Sequence, residues 1–214
     1  MSIRRPYLLL LIPLVLAYFA IAGVGFFFKA AVPGSCALIL LFLFRHILKT
    51  NREVWYILLA FLFSMAGDWF LSNKGDSFMM FSVGIGLYLL AHVGYLWFAL
   101  LNGRLHILFT IMVLTGFLLF FFVKLYPAIE DTVLLIATLL YLLISCISLG
   151  AAFGLKLSPL VKWSYFAGVS FILFSDTIIA LFEYTSYEGM NFLILPTYYA
   201  AHISITFALM RRAG

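Results

Sequence analysis

The sequence predicts an all-α polytopic membrane protein with eight transmembrane helices, and three observations carry this prediction. Hydrophobic residues make up 66% of the chain and charged residues only 10%, whereas a soluble domain is about half apolar and about a quarter charged. The mean hydropathy is +1.17. The apolar residues also fall into eight separate segments, each close to the roughly 20 residues that a helix needs to cross a bilayer.

Each segment is expected to be helical, because hydrocarbon offers no hydrogen-bond partners to an open backbone. The apolar run after Arg4 and Arg5 resembles a signal peptide, but it continues to Phe28, longer than such peptides usually are, so we expect a retained first helix. Since the connections are short, consecutive helices run antiparallel, and residues 1–214 form a single transmembrane domain. The predicted helices cover residues 7–25, 29–48, 54–71, 78–101, 105–123, 132–153, 160–182 and 191–210.

The basic residues predict which helix ends face the cytoplasm. With the N-terminus inside, ten of the 13 Lys and Arg residues fall on the inner side, and Lys29, Lys74 and Lys124 on the outer side. This positive-inside bias predicts that both termini are cytoplasmic, in a multi-pass protein of a bacterial inner membrane. The basic residues form no stripe, so the net charge of +5 does not indicate nucleic-acid binding. The inner residues are Arg4, Arg5, Arg45, Lys49, Arg52, Arg104, Lys156, Lys162, Arg211 and Arg212.

Two parts of the chain carry similar motifs at a nearly constant spacing. Asp68 and Asp176 are 108 residues apart, and a Phe-Ser pair precedes each of them. His92 and His202 are 110 residues apart, and each follows a tyrosine by four residues. This spacing is expected of a four-plus-four parallel repeat. Chance similarity between apolar helices is the alternative.

Asp68 and Asp176 are the main candidates for chemistry, because a carboxylate in the membrane costs about 2.5 to 3.5 kcal/mol and usually has a function. On the predicted topology both lie in the outer half of the membrane, where Lys29 opens the second helix. Two carboxyl groups and an ammonium group suit an acid/base site. The alternatives are an ion pair that locks the helices together and, for Lys29, a side chain that reaches the interface.

His92 and His202 are expected to lie deeper, about 10 to 15 Å below the aspartates by residue count. They would serve as a proton relay, line a cavity floor or form hydrogen bonds between helices. Because of this difference in depth, we do not expect the two His and two Asp to bind a metal. Cys36 and Cys146 lie in apolar segments without metal-ligand spacing, so the sequence predicts neither a zinc cluster nor a disulfide framework.

Tyrosines and glycines supply further candidates. Tyr95, Tyr198 and Tyr199 are expected near a cavity, although most aromatic residues are expected to serve packing. Gly84 and Gly86 are expected to permit close approach of helices. The chain contains no G-x-S-x-G, no H-E-x-x-H and no phosphate-binding glycine loop. The segment before Asp68 lacks the first glycine of the G-x-G-D motif of intramembrane aspartyl proteases.

The order and spacing of these motifs resemble those of the YhhN family of membrane lysoplasmalogenases, from Lys29 to about His202. Two positions depart from the family pattern: Ala30 stands where members often have Pro, and His202 where they favour Gln. The matching residues are Lys29 with Pro33, Ser64 through Asp68 to Leu71, Gly84, Tyr88, His92 and Tyr95, Gly168, Phe174-Ser175-Asp176 through Ala180, and Thr197 through Tyr198 and Tyr199 to His202.

The resemblance implies hydrolysis of the vinyl ether bond of a lysoplasmalogen, without a metal or organic cofactor. We hypothesise that Asp68 and Asp176 are the acid/base pair and that Lys29 meets the lipid phosphate. The substrate would be a lysophospholipid that enters from the surrounding membrane lipids; the oligomeric state is not predicted. The remaining expected substrate-binding residues are His92, Tyr95, Ser175, Tyr198, Tyr199 and His202. Three alternatives stay open: hydrolysis of a different ether lipid, transport of a lipid or small molecule, and a non-catalytic scaffold.

Overall fold

The computed structural model describes residues 6–46, 48, 52–75 and 77–213, and these residues form helices joined by short connections without named strands. Of the residues in the positive-inside count, Arg4, Arg5 and Lys49 lie outside the described residues. The α-helices are α1 Leu11–Ile21, α2 Phe26–Phe44, α3 Val54–Ser72, α4 Phe78–Leu101, α5 Ile107–Phe120, α6 Thr132–Phe153, α7 Pro159–Thr185 and α8 Ile194–Ala213. Short 3-10 or π turns precede α1 (Pro6–Leu10), follow α5 (Phe121–Leu125 and Tyr126–Ala128) and precede α8 (Asn191–Leu193).

The prediction of an all-helical polytopic membrane protein is confirmed. In the part of the chain that the structure describes, seven helices are long and apolar enough to cross a membrane. The first apolar helix, Pro6–Ile21 including its 3-10 turn, is shorter than these seven. The chain is therefore a multi-pass membrane protein, and its described residues hold eight α-helices, of which the N-terminal one is the shortest.

Two predicted boundaries differ from the structure in ways that affect the site. Helix α2 begins at Phe26 rather than at Lys29, after Gly25, whose φ of 145° favours glycine. Lys29 thus lies within the first turn of the helix. Helix α7 continues beyond residue 182 to Thr185 and ends where Ser186 adopts a left-handed φ of 55°. Hydropathy alone did not locate these ends, because backbone conformation at the caps determines them.

Six helices pack in a closed ring, in the order α2, α3, α4, α6, α7 and α8, with α8 returning to α2. Helix α1 packs on α2 and α8, and α5 packs on α6. Each of the main pairings in the first half has a counterpart in the second half: α3–α4 with α7–α8, α2–α3 with α6–α7, α1–α2 with α5–α6, and α2–α8 with α6–α4. This packing pattern agrees with the predicted four-plus-four repeat.

Glycines mark the closest helix crossings. A Cβ atom on Gly94 would lie 2.6 Å from the Tyr56 carbonyl oxygen, and one on Gly168 would lie 2.5 Å from Ile205. Gly84 also meets its neighbour closely, since a Cβ there would lie 2.0 Å from a Leu71 methyl group. The expectation for Gly86 was wrong, because its added Cβ would have no described atom within 4 Å.

Candidate active site

The carboxyl group of Asp68 accepts hydrogen bonds from two tyrosines on different helices. The Tyr88 hydroxyl on α4 donates to Oδ1 at 2.5 Å, and the Tyr198 hydroxyl on α8 donates to Oδ2 at 2.8 Å. Both carboxyl oxygens of Asp68 therefore have a donor. Hydrogen bonds to a charged group stabilise by about 1.5 to 3 kcal/mol, so the two tyrosines offset part of the free energy that burial of this carboxylate costs.

Asp176, on α7, is buried and has its own partners. The Tyr141 hydroxyl on α6 donates a hydrogen bond to Oδ2, and His92 Nε2 on α4 lies 3.5 Å from the same oxygen. Tyr88 and His92 are one turn apart on α4, so this single helix contacts both aspartates. The side chains of α3, α4, α6, α7 and α8 thereby meet around two carboxyl groups.

The contact between His92 and Asp176 corrects the predicted depth of that histidine, which residue counting placed about 10 to 15 Å below the aspartates. Because α7 extends to Thr185, Asp176 lies nine residues, or about 14 Å, before the end of its helix, deeper than expected. Side chains also tilt toward the N-terminus of their own helix. Since α4 and α7 run in opposite directions, the two side chains tilt toward each other.

Two cavities adjoin at the aspartates. The first, here called the Asp68 cavity, has a volume of about 120 Å³, and the second, the Asp176 cavity, about 50 Å³. Leu71, Tyr88 and Ile179 line both cavities and form the wall between them.

Several of the predicted site residues line the Asp68 cavity. Lys29, Ser175, Tyr198 and Tyr199 are among its lining residues. The Ser175 hydroxyl donates to the Ile194 carbonyl at 3.1 Å. Lys29 and Asp68 thus share one cavity, as the sequence predicted, although no carboxylate in the described residues lies within ion-pair distance of Lys29.

Tyr95 and His202 occupy the core behind the site and are not among the lining residues of either cavity. The Tyr95 ring packs against the rings of His92 and Phe61. His202 Nδ1 donates to the Tyr198 carbonyl at 2.9 Å, and the His202 ring packs on the rings of Phe61 and Tyr198. Both residues therefore contact side chains that hold the aspartates, and the expectation that they line the cavity differs from the structure.

Two tyrosines that the sequence did not single out as site residues hold the carboxyl groups. For Tyr88 a signal existed, because its spacing of 110 residues from Tyr198 makes it the counterpart of a predicted site residue. For Tyr141 there was none, since it is one of 12 tyrosines in apolar surroundings. Its role depends on the packing of α6 against α4 and α7.

A metal-binding cluster is not found in the described parts of the chain, where no group of three or more His, Cys, Asp or Glu side chains is placed to hold an ion. His92 and Asp176 meet, but Asp68 is held by tyrosines and His202 by a backbone carbonyl. The arrangement offers two separate carboxyl groups with hydroxyl donors, which suits proton transfer.

Comparison with known proteins gave one family. A family model described as "YhhN family" matches residues 24–209, which is most of the chain. No curated protein and no solved structure matches the chain. The matched region includes both aspartates and every residue that lines the Asp68 and Asp176 cavities.

Proposed function

Because the chain belongs to the YhhN family, we propose that it is an integral-membrane hydrolase that cleaves the vinyl ether bond of a lysoplasmalogen. The products are a fatty aldehyde and a glycerophospho-ethanolamine or -choline. The observation that carries the proposal is the pair of hydrogen-bonded aspartates, Asp68 and Asp176, on adjoining cavities. Family membership supports the reaction class, and the carboxyl pair supports the residues.

In the proposed hydrolysis of a vinyl ether, two carboxyl groups of the protein act on the same substrate molecule, one as the acid and the other as a carboxylate. The acid protonates the β-carbon, the π electrons form the new C–H bond, and an oxocarbenium ion results. Water adds to the ether carbon and gives a proton to the second carboxylate. The hemiacetal then collapses: the glycerol oxygen leaves with that proton, and the hemiacetal hydroxyl returns a proton to the first carboxyl group. Glycoside hydrolysis uses two carboxyl groups in a similar way.

The surroundings of the two aspartates suit the two roles. Tyrosine hydroxyls orient both carboxyl groups, so the two groups are preorganised and the reaction does not have to pay for fixing their orientation. Lys29, in the Asp68 cavity, is a point charge suited to the lipid phosphate. His92 acts as a hydrogen-bond partner of Asp176, and Tyr95 and His202 support the site from the core.

The direct test is aldehyde release from a lysoplasmalogen by the purified protein in detergent. We expect Asp68→Asn and Asp176→Asn each to lower turnover about 100-fold or more, the usual scale for loss of a catalytic acid or base. A saturated 1-alkyl lysophospholipid, which lacks the vinyl ether, is expected to give no aldehyde. Cleavage of that lipid instead would indicate a hydrolase of a different ether lipid.

Glu188→Gln is the matched control, because it also removes a carboxylate but at an exposed position outside both cavities. It is expected to keep wild-type turnover and melting temperature. If either Asn variant folds as the wild type and keeps full turnover, that aspartate has no catalytic role.

A transporter remains the second candidate, since the parallel repeat of helix pairings is also found in transporters. Reconstitution in vesicles separates the two functions. Movement of a lysophospholipid across the vesicle membrane without aldehyde production would support transport and contradict the hydrolase.

A further inference from the structure

The two cavities occupy equivalent places in the two halves of the protein. Asp68, Leu71 and Ser72 on α3 line the Asp68 cavity, and the residues 108 positions later, Asp176, Ile179 and Ala180 on α7, line the Asp176 cavity. The same relation holds on α8 and α4, where Leu195 and Tyr198 correspond to Ile85 and Tyr88 at a spacing of 110. The two cavities therefore correspond to each other in position but differ in their lining residues.

The Asp176 cavity has mostly apolar walls. Phe81, Ile85 and Ala180 contribute much of its surface. Its hydroxyl groups already have partners: Tyr141 donates to Asp176, Tyr88 to Asp68, and the hydroxyls of Thr138 and Tyr184 bond to each other at 2.6 Å. A polar head group would find few partners here, whereas a hydrocarbon chain needs none.

A third cavity extends the apolar space away from Asp176. It has a volume of about 50 Å³ and shares Thr138, Tyr141, Asp176 and Ala180 with the Asp176 cavity. Its other lining residues are Phe117, Phe120, Leu125, Leu142, Leu173 and Thr177. The extension reaches α5, which buries the smallest share of its surface among the seven spanning helices. A chain in this space would therefore leave toward lipid.

The Asp68 cavity differs, because it has free donors and reaches a helix end. Tyr199 is among its lining residues with a side chain that is 1% exposed, and its buried hydroxyl has no hydrogen-bond partner among the described residues. Lys29 adds an ammonium group without a carboxylate partner in the described parts of the chain. Ser72, the exposed last residue of α3, places this cavity at the helix ends, where the phosphate of a membrane lipid lies.

We propose that the two cavities are the two halves of one amphiphile site, in which the Asp68 cavity binds the phosphate-bearing head through Lys29 and Tyr199, and the Asp176 cavity binds the hydrocarbon chain against Phe81, Ile85 and Ala180. This assignment rests on the proposed function. The ether linkage joins head to chain, so it lies at the shared wall of Leu71, Tyr88 and Ile179, between the two aspartates.

This orientation assigns a role to each aspartate. The β-carbon of the vinyl ether is on the chain side of the reacting bond, next to Asp176, and the ether carbon that water attacks is on the head side, next to Asp68. Asp176 is therefore the acid that protonates the β-carbon. Its Oδ1 has no hydrogen-bond partner among the described residues and is free to carry the proton, whereas both oxygens of Asp68 accept tyrosine hydrogen bonds and suit a carboxylate.

The first test exploits the equivalent positions Ala180 and Ser72. With decyl and octadecyl lysoplasmalogens, Ala180→Phe is expected to lower kcat/KM for the octadecyl substrate about 10-fold more than for the decyl one, the scale expected when a pocket loses room for a few methylene groups. Ser72→Phe is expected to weaken both substrates equally. Ala180→Leu provides a smaller change if Ala180→Phe does not fold.

Binding of saturated decyl and octadecyl 1-alkyl lysophosphocholines, measured by titration in micelles, separates this inference from the proposed function. Suppose that the protein prefers the octadecyl ligand, that Ala180→Phe abolishes this preference, and that no aldehyde is released from lysoplasmalogen. This result would support the two subsites and contradict the hydrolase. Aldehyde release with no change in chain preference, or a changed preference in Ser72→Phe, would overturn the subsite assignment and leave the hydrolase standing.

The roles of the aspartates are tested by the pH profiles of residual activity, after subtraction of the reaction without protein. Residual hydrolysis by Asp176→Asn is expected to rise about 10-fold for each unit by which the pH falls, because hydronium then replaces the missing acid. Asp68→Asn keeps its acid, so its residual hydrolysis is expected to stop rising at the acidic end of the profile, where that of Asp176→Asn continues to rise. The opposite pattern, or identical profiles, would contradict the assignment.

Discussion

At the scale of single residues, the site consists of two carboxyl groups, a buried one on Asp176 and a partly exposed one on Asp68, whose closest partners are tyrosine hydroxyl groups rather than Lys or Arg. Tyr88 and Tyr198 hold Asp68, and Tyr141 holds Asp176. A hydroxyl donor orients a carboxyl group without adding a charge. Each aspartate can therefore gain or lose a proton without leaving an unpaired cation in the membrane, which a Lys or Arg partner would not permit.

We predict that Tyr141→Phe lowers kcat about 10- to 100-fold, because its hydrogen bond is to a charged carboxylate once Asp176 gives up its proton, and such a bond is worth roughly 1.5 to 3 kcal/mol. KM is expected to change little, since Tyr141 acts through Asp176 as a positioning residue. Steady-state kinetics with lysoplasmalogen measures both constants.

Tyr126→Phe serves as the control for this change. Tyr126 lies after α5, is 52% exposed and lines none of the cavities around the aspartates, so its variant is expected to match the wild type. Full kcat in Tyr141→Phe would show that the hydrogen bond to Asp176 has no part in the reaction.

At the scale of helices, close crossings bring the reacting side chains together. Helix α4 crosses α3 where Gly94 meets the Tyr56 carbonyl and Ala60, and α7 crosses α8 where Gly168 meets Ala201 and Ile205. These are the two most extensive pairings of the bundle. Without Cβ atoms at the crossings, the backbones approach closely enough for Tyr88 to reach Asp68 on the neighbouring helix.

Gly94→Ala is expected to destabilise the fold by about 1 to 3 kcal/mol, because its methyl group would overlap a backbone oxygen that cannot move aside without shifting α3. The melting temperature in detergent measures the effect. Gly86→Ala, on the same helix but with free space around it, is expected to be neutral or slightly stabilising. Equal melting temperatures for the two variants would contradict the close crossing.

At the scale of the whole molecule, a ring of six helices encloses two related cavities with different lining. The two aspartates lie at corresponding positions of the matching helix pairings, and the difference between Ser72 in one cavity and Ala180 in the other contributes to their different polarity. The predicted orientation, with both termini in the cytoplasm, rests on the distribution of basic residues and remains a prediction. It would place the Lys29 end of the bundle on the outer side of the membrane.

Much of the fold could be predicted from composition and hydropathy. The spans of α4 and α6 agree with the predicted ranges, because a long apolar segment in a membrane has to satisfy its backbone hydrogen bonds internally and therefore forms a helix. The aspartates could be identified for a related reason, since charged side chains are expensive in an apolar segment and stand out there. The start of α2 and the end of α7 could not be predicted from the sequence, because the backbone geometry at the caps sets them and hydropathy does not.

The sequence by itself determined the membrane class, the helix count, the two candidate aspartates and the family resemblance. These depend on properties of single residues and on their order along the chain. The tertiary structure alone decided that His92 meets Asp176, that Tyr141 belongs to the site, and that Tyr95 and His202 lie behind it. Such contacts depend on the rotation and depth of each helix against its neighbours. Side-chain packing fixes both quantities, and they cannot be read from an apolar sequence of low complexity.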